Sequence, residues 1–352
     1  MTPVGCHYVP PFVLKKLEKS DDPSVVKEAK AAAAPIKKAR DKRAKALVTL
    51  TEAQATAQLT SAAPAPSGSG RREIFDSENT TQQRKTLVRA EGDPATPDTD
   101  VTAAYEYLGL VRRFFGDVLG RASIDNTHLD LIANVHYRKN YMNAFWDGDE
   151  MTFGDGDGAI FTSFAKSLDV VAHELAHGVT QFTAGLVYKN QSGALNEHFS
   201  DVFGTAITQW HLDQSAEEAD WLIGDEIMGP TLYGEALRSM REPGKAYDNS
   251  LLGTDRQPNH MDRLYKGTGD NGGVHINSGI PNRAFYLTAM ELGDTLAATR
   301  VWYHALQRLW SKATFKDAVE RIGLSARVLV LAGQVPKGTP QIVRGAFREV
   351  GL

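Results

Sequence analysis

The sequence predicts an α+β protein of two lobes, a β-rich N-terminal one leading into a mainly helical C-terminal one. The chain has 352 residues, too many for one small core. Residues 72–165 mix a helical pattern at about 101–120 with strand-like runs in LDLIANVHY and MNAFWDG. From 166 onward helical periodicity dominates, over 167–182, 193–212, 276–292, 297–310, 314–322 and 340–349.

Ahead of this body lies a different kind of chain. Residues 24–48 read as helix interrupted at Pro35. Residues 55–71, ATAQLTSAAPAPSGSGR, are small, polar and rich in Pro, Gly and Ser, the composition of a flexible linker that proteases nick. The expected division is therefore a leading segment at 1–54, a linker with a processing site at 55–71, and lobes at 72–180 and 181–352.

Hydrophobic content of 42% and a net charge of -4 are ordinary for a globular protein. The charge is uneven, with 11 Lys/Arg against 5 Asp/Glu in residues 1–50 and an acidic excess in the rest. Such a basic arm is either a solvated helix face or a segment that docks on the acidic body. It lacks the interleaved aromatics of a nucleic-acid binder, and no run of about 18 apolar residues predicts a membrane span. A single cysteine, Cys6, forms no intramolecular disulfide. The start, MTPVGCHYVPPFVLKKLEK, is not an ordinary signal peptide, so the expected location is the cytoplasm, or outside the cell by another route.

Chemistry concentrates in LDVVAHELAHGVTQF. His173 and His177, at i and i+4, share one helix face and can reach one zinc ion, with Glu174 turned toward a water on it. A second cluster, GALNEHFSDVFG, puts Glu197 and Asp201 on one face of a return helix. Two His and one Glu leave a fourth zinc position open, the catalytic pattern. Asp201 can then accept the second ring N–H of a zinc-binding His.

These segments resemble the thermolysin metallopeptidase family, as do NAFWDG, FGDGDG, TAGLVY, DNGGVHINSGIPNRAFYL and the ending IVRGAFREVGL. The resemblance covers about 72–352 and implies the two-lobed fold, with the zinc helix at the floor of the cleft between the lobes. It implies that His173, His177 and Glu197 bind zinc, a ligand set for which thermolysin is itself the standard example, and that Glu174 is the general base. Tyr188 and His275 match the oxyanion donors and Asp270 the carboxylate that orients His275. Asn143, Ala144 and Trp146 fall on the substrate-binding strand, and Arg238 on the arginine that binds a substrate carbonyl. Phe161, Phe164, Val170, Ile223 and Leu237 would line an apolar pocket that favours bulky hydrophobic residues after the cut.

The family's double calcium site is depleted. Asp169, Asp220 and Asp225 keep its carboxylates, but two other acidic positions read Thr208 and Leu222, so one calcium ion or none is expected. Asp155 and Asp157 in GDGDG read as a calcium loop or as a turn. GCHYVPPFVLKKL resembles the propeptide start of the compact protealysin-like branch. That likeness implies a monomeric precursor inhibited by its own propeptide, with peptides or proteins as substrates. Pro10-Pro11-Phe12 is expected to be extended, and Cys6 or His7 is a candidate zinc ligand in the precursor.

Overall fold

A computed structural model of the chain describes residues 7–33, 42 and 70–352. The expectations for Cys6, for helix beyond residue 33 and for most of the 55–71 linker lie outside these residues. The chain forms two compact units, Met1–Phe182 with Glu226–Tyr233, and Thr183–Asp225 with Gly234–Leu352.

The first unit opens with helices α1 (Pro11–Leu17) and α2 (Pro23–Ala33). The expected extended conformation holds only at Pro10, with φ -61° and ψ 145°. Pro11 and Phe12 instead begin α1, because proline is tolerated in the first turn, where its missing N–H would have no partner anyway. α1 buries Val13, Leu14 and Leu17, while Lys15 and Lys16 face solvent. Several contacts tie the leading segment to the body. Arg138 donates to the Ala31 carbonyl at 3.2 Å, and Lys42 donates to Asp147 at 2.8 Å and Glu150 at 3.0 Å. Both readings of the basic arm thus apply, each to different residues.

The sheet of this unit contains β1 (Arg72–Asp76), β2 (Thr86–Ala90), β3 (Leu131–Val135), β4 (Ala144–Trp146) and β5 (Met151–Phe153), in the order β2-β1-β3-β5-β4. β1 pairs in parallel with β3, which requires a crossover. Helix α3 (Thr99–Leu119) supplies it, capped by the Asp98 side chain and closed by Gly120 at φ 64°. β4 pairs antiparallel with β5 and ends the sheet order. Helix α4 (Leu168–Gln181) is buried along its whole length. A helix apolar all round would be plain core; this one carries His173, Glu174 and His177 inside, and buried polar groups demand partners or a ligand.

The second unit is built on α5 (Asn190–Leu212), with small ribbons β6–β7 (Leu222–Ile223, Arg238–Ser239) and β8–β9 (Asp248–Asn249, Gly253–Thr254). Helices α6 (Asp270–Asn277), α7 (Gly279–Leu292), α8 (Thr295–Leu306), α9 (Phe315–Leu331) and α10 (Thr339–Glu349) complete it. The single helix expected over 276–292 is two, abutting at Ser278. The helix expected over 314–322 is capped as a box by Thr314 and Asp317 and runs through Gly323 to Leu331; one glycine costs a helix about 1 kcal/mol without ending it. Trp302 anchors this core, stacked on Phe347 at 5.9 Å and edge-on to Phe285 at 5.2 Å. No helix among the described residues is long and apolar enough to cross a membrane.

Candidate active site

In the first unit, the helical i, i+4 spacing brings the rings of His173 and His177 to a centroid distance of 4.7 Å. Glu174 lies between them in sequence, fully buried, and its Oε2 accepts the backbone N–H of Trp146 at 2.7 Å. The edge strand thus orients the carboxylate. The Trp146 indole itself turns to the helix end and donates to Gln181 Oε1 at 3.0 Å.

Residues 7–9 run alongside β4. Tyr8 N–H donates to the Ala144 carbonyl at 3.2 Å. Asn143 brackets the next residue: its Oδ1 accepts Val9 N–H at 2.9 Å and its Nδ2 donates to the Val9 carbonyl at 3.3 Å. One backbone bond to the sheet edge and two bonds to the Asn143 side chain thus hold this segment, a partial form of the edge recognition by which extended peptides bind. The Tyr8 ring lies edge-on to Phe164 and to His173, and Phe161, Phe164 and Val170 are fully buried.

In the GDGDG segment both aspartates have hydrogen-bond partners. Asp157 Oδ1 accepts the N–H groups of Ala159, Ile160 and Phe161 at 2.8 to 3.0 Å. Asp155 pairs with His136 Nδ1 at 2.9 Å, while His136 Nε2 meets Asp98 at 2.9 Å. The bond to Asp155 first, then those of Asp98, push the His136 pKa up to about 9 against the effect of burial. Asp100, near this cluster, is held by Lys166 at 2.8 Å.

In the second unit, Tyr188 O–H donates to Glu197 and lies 3.0 Å from His275 Nε2. The DNGGVH segment explains how His275 is aimed. Asp270, Asn271, Gly272 and Gly273 all have positive φ, from 51° to 85°. Only glycine fits the last two comfortably: a Cβ on Gly272 would meet Asn190 Oδ1 at 2.1 Å. This left-handed run folds Asp270 back, so that its Oδ1 bonds His275 Nδ1 at 2.6 Å and its Oδ2 accepts His275 N–H at 2.8 Å. Burial works against charging His275, but Glu197 and Asp270 outweigh it and raise its pKa.

Arg238 stands on β7 beside Ile223 and Leu237, with Leu237 N–H bonded to the Ile223 carbonyl at 2.9 Å. Its guanidinium forks onto Asp201, with Nη2 at 2.9 Å and Nε at 3.0 Å. Asp201 also accepts Asn282 Nδ2 at 2.9 Å. Asn282 Oδ1 in turn faces His198 Nδ1 at 2.7 Å, and Trp302 donates to His198 Nε2 at 2.7 Å. Burial holds the His198 pKa down to about 4, which fits a neutral ring accepting from the indole.

The donor set suits zinc. Two buried imidazoles on one helix face and a fully buried glutamate are the nitrogen and oxygen donors of a hydrolytic zinc site. Comparison with known proteins agrees. Residues 38–181 match the thermolysin metallopeptidase catalytic domain and residues 184–352 its alpha-helical domain. The chain is 53% identical over 243 residues to an extracellular metalloprotease of Pectobacterium carotovorum, covering 68% of this chain and 70% of that one. The chain belongs to the thermolysin metallopeptidase family.

As a member of that family it is a zinc metalloendopeptidase. A thermolysin of Alicyclobacillus acidocaldarius is 45% identical over 201 residues, 56% of this chain and 34% of its own length. Among solved structures, the precursor of protealysin, a metalloproteinase from Serratia proteamaculans, superposes with a TM-score of 0.84 at 39% identity, covering 98% of this chain and 99% of that one. This supports the protealysin-like branch, and the β-containing unit followed by a helical one is the family's fold.

Of the calcium candidates, Asp169 accepts hydrogen bonds from Tyr8 and Ser167, and Asp220 caps its own turn by accepting Leu222 N–H at 2.9 Å. Four contributors were not read from the sequence as site residues: Tyr8, the Trp146 N–H, Asn282 and His198. Asn282 and His198 do lie inside the quoted NSGIPNRAF and GALNEHFSD segments, while a backbone donor leaves no residue signature.

Proposed function

We propose that this zinc endopeptidase is a precursor held shut by its own leading segment, and that it cuts before bulky hydrophobic residues. The observation that carries this reading is the pairing of residues 7–9 with Asn143 and Ala144, with Tyr8 inserted among apolar side chains. A peptide substrate would use the same backbone partners. Phe161, Phe164 and Val170, with Ile223 and Leu237, would line the pocket for the residue after the cut. Trp146 would act through its backbone, by fixing Glu174.

In this proposal His173, His177 and Glu197 hold zinc. The bound metal would polarise the scissile carbonyl and acidify the attacking water. Glu174 takes the proton from that water and returns it to the leaving amine. Tyr188 and His275 donate to the oxygen that gains charge, and Asp270 keeps His275 Nε2 turned toward it. Arg238, braced by Asp201, binds a substrate carbonyl, and Asp201 also steadies a zinc-ligating ring. We further propose one calcium ion or none, on Asp169, Asp220 and Asp225, and a monomer acting on peptides or proteins. Export is favoured over a cytoplasmic location by the Pectobacterium relative, itself named an extracellular metalloprotease.

The test is a time course of the purified chain with casein, followed by intact mass, beside Glu174→Ala. The expected result is loss of roughly the first 50–70 residues, at the linker composition that proteases favour, and then casein digestion. The variant should bind zinc and stay whole. If both proteins stay whole and inactive with zinc bound, self-processing is wrong.

A further inference from the structure

Asp169 sits in the first turn of α4, and its two carboxylate oxygens do different things. Oδ1 accepts the Ser167 hydroxyl. Oδ2 accepts the phenolic O–H of Tyr8 at 2.9 Å. The Tyr8 side chain is fully buried. Its ring is edge-on to Phe164 at 6.5 Å and to His173 at 5.0 Å. Aromatic walls therefore end in a carboxylate acceptor that a neighbouring serine also holds. That combination suits a flat apolar body with a hydroxyl donor at its tip.

We propose that Asp169 is a specificity-determining residue which reads a phenolic hydroxyl, so that the mature enzyme prefers Tyr after the scissile bond over Phe and over Leu. This deepens the proposed function, because it rests on residues 7–9 lying as a substrate does. The physical argument is one of unequal desolvation. A phenol entering an apolar pocket must give up its bonds to water, and Asp169 Oδ2 replaces them. Phe fills the same walls but brings no donor to that oxygen, and a site built around a hydroxyl discriminates against the analogue that lacks it. Leu reaches neither the ring contacts nor the acceptor. Val9 N–H and carbonyl are fixed by Asn143 whatever the side chain at position 8, so the backbone pairing does not choose between these residues and the pocket must.

The experiment compares kcat/KM of the mature enzyme on peptides that differ only in the residue after the cut: Tyr, Phe, O-methyltyrosine, Leu and Lys. Tyr is expected to exceed Phe by about tenfold to a hundredfold, the range of one hydrogen bond to a charged acceptor, with O-methyltyrosine no better than Phe. Asp169→Leu should bring the ratio of Tyr to Phe to about one, each rate taken within that variant. Should this variant not fold, the wild-type series decides alone. Equal rates for Tyr and Phe overturn the proposal while leaving the preference for bulky apolar residues intact, and a preference for Lys overturns it in favour of charge reading. A protein that cuts none of the peptides removes the endopeptidase reading and this inference with it.

Discussion

Helices α4 and α5 are both buried and both carry candidate zinc ligands, but they are braced differently. Around α5 side chains of the same unit act as braces. Tyr188 holds Glu197, Arg238 and Asn282 hold Asp201, and the chain of bonds ends at His198 and Trp302. Around α4 the braces of Glu174 and Asp169 include a backbone N–H from an edge strand and a tyrosine from the leading segment. The difference separates two ways of preparing charged groups. One set of groups is fixed when the unit folds, so its desolvation cost is met once. In the other set Asp169 faces a tyrosine of the leading segment, a partner that a peptide can replace.

The largest expected effect is at the metal. Chelation should abolish casein hydrolysis, by at least about a thousandfold for loss of the Lewis acid. Titration with zinc should restore it with one ion per chain, measured by elemental analysis. Recovery without bound zinc would break the reading of both helices.

Next comes the α5 brace. Arg238→Met leaves Asp201 buried beside a neutral partner, which costs about 3–5 kcal/mol when one member of a buried pair is lost. Thermal unfolding should show the drop, and adding Asp201→Asn should recover part of it. A cost below about 1 kcal/mol would instead mark the pair as no stronger than a surface bridge.

The pH dependence sharpens the comparison further, because two histidines shift in opposite directions. His136 is raised to about 9, so its stabilisation is full below its unfolded pKa near 6.5 and is lost as pH rises toward 9. His198 is depressed to about 4. It favours the fold above pH 6.5, and that advantage is lost as pH falls toward 4. Melting temperatures of His136→Gln and His198→Gln, each subtracted from wild type across pH, should therefore diverge at opposite ends of the range. Parallel curves would refute the assignment. The smallest effect is expected from Tyr8→Phe in the precursor, which removes one bond to Asp169 and should speed loss of the leading segment by about tenfold; intact mass against time measures it.

Much of this was legible in the sequence, and the parts that were not share a physical cause. The His173–His177 pair follows from helical periodicity, and the two-lobed division from chain length and the change of periodicity after residue 166. Capping at Asp98, Thr314 and Asp294 follows local chemistry. Tyr8 and Asp169, by contrast, are 161 residues apart, and no local rule joins them. The Trp146 contribution is a backbone group that any residue could supply. The start of α1 was misread because proline obstructs a helix behind it but not ahead of it. His198 lies beside Glu197 in the sequence, but its role emerges only when Trp302 and Asn282 close on it from α8 and α7.

The pairing of residues 7–9 with β4 is a contact of the chain with itself. Its occupancy is set by tether length and not by how much protein is present, since a linked segment acts at an effective concentration on the order of millimolar. A cut anywhere between residues 33 and 70 would turn the same contact into an encounter of two molecules. Before the cut the edge strand is filled in the most dilute sample; after it, dilution alone empties it. The short backbone pairing at Tyr8 and Val9 thus makes crowding, and not only cleavage, a variable that decides when the strand is open to other peptides.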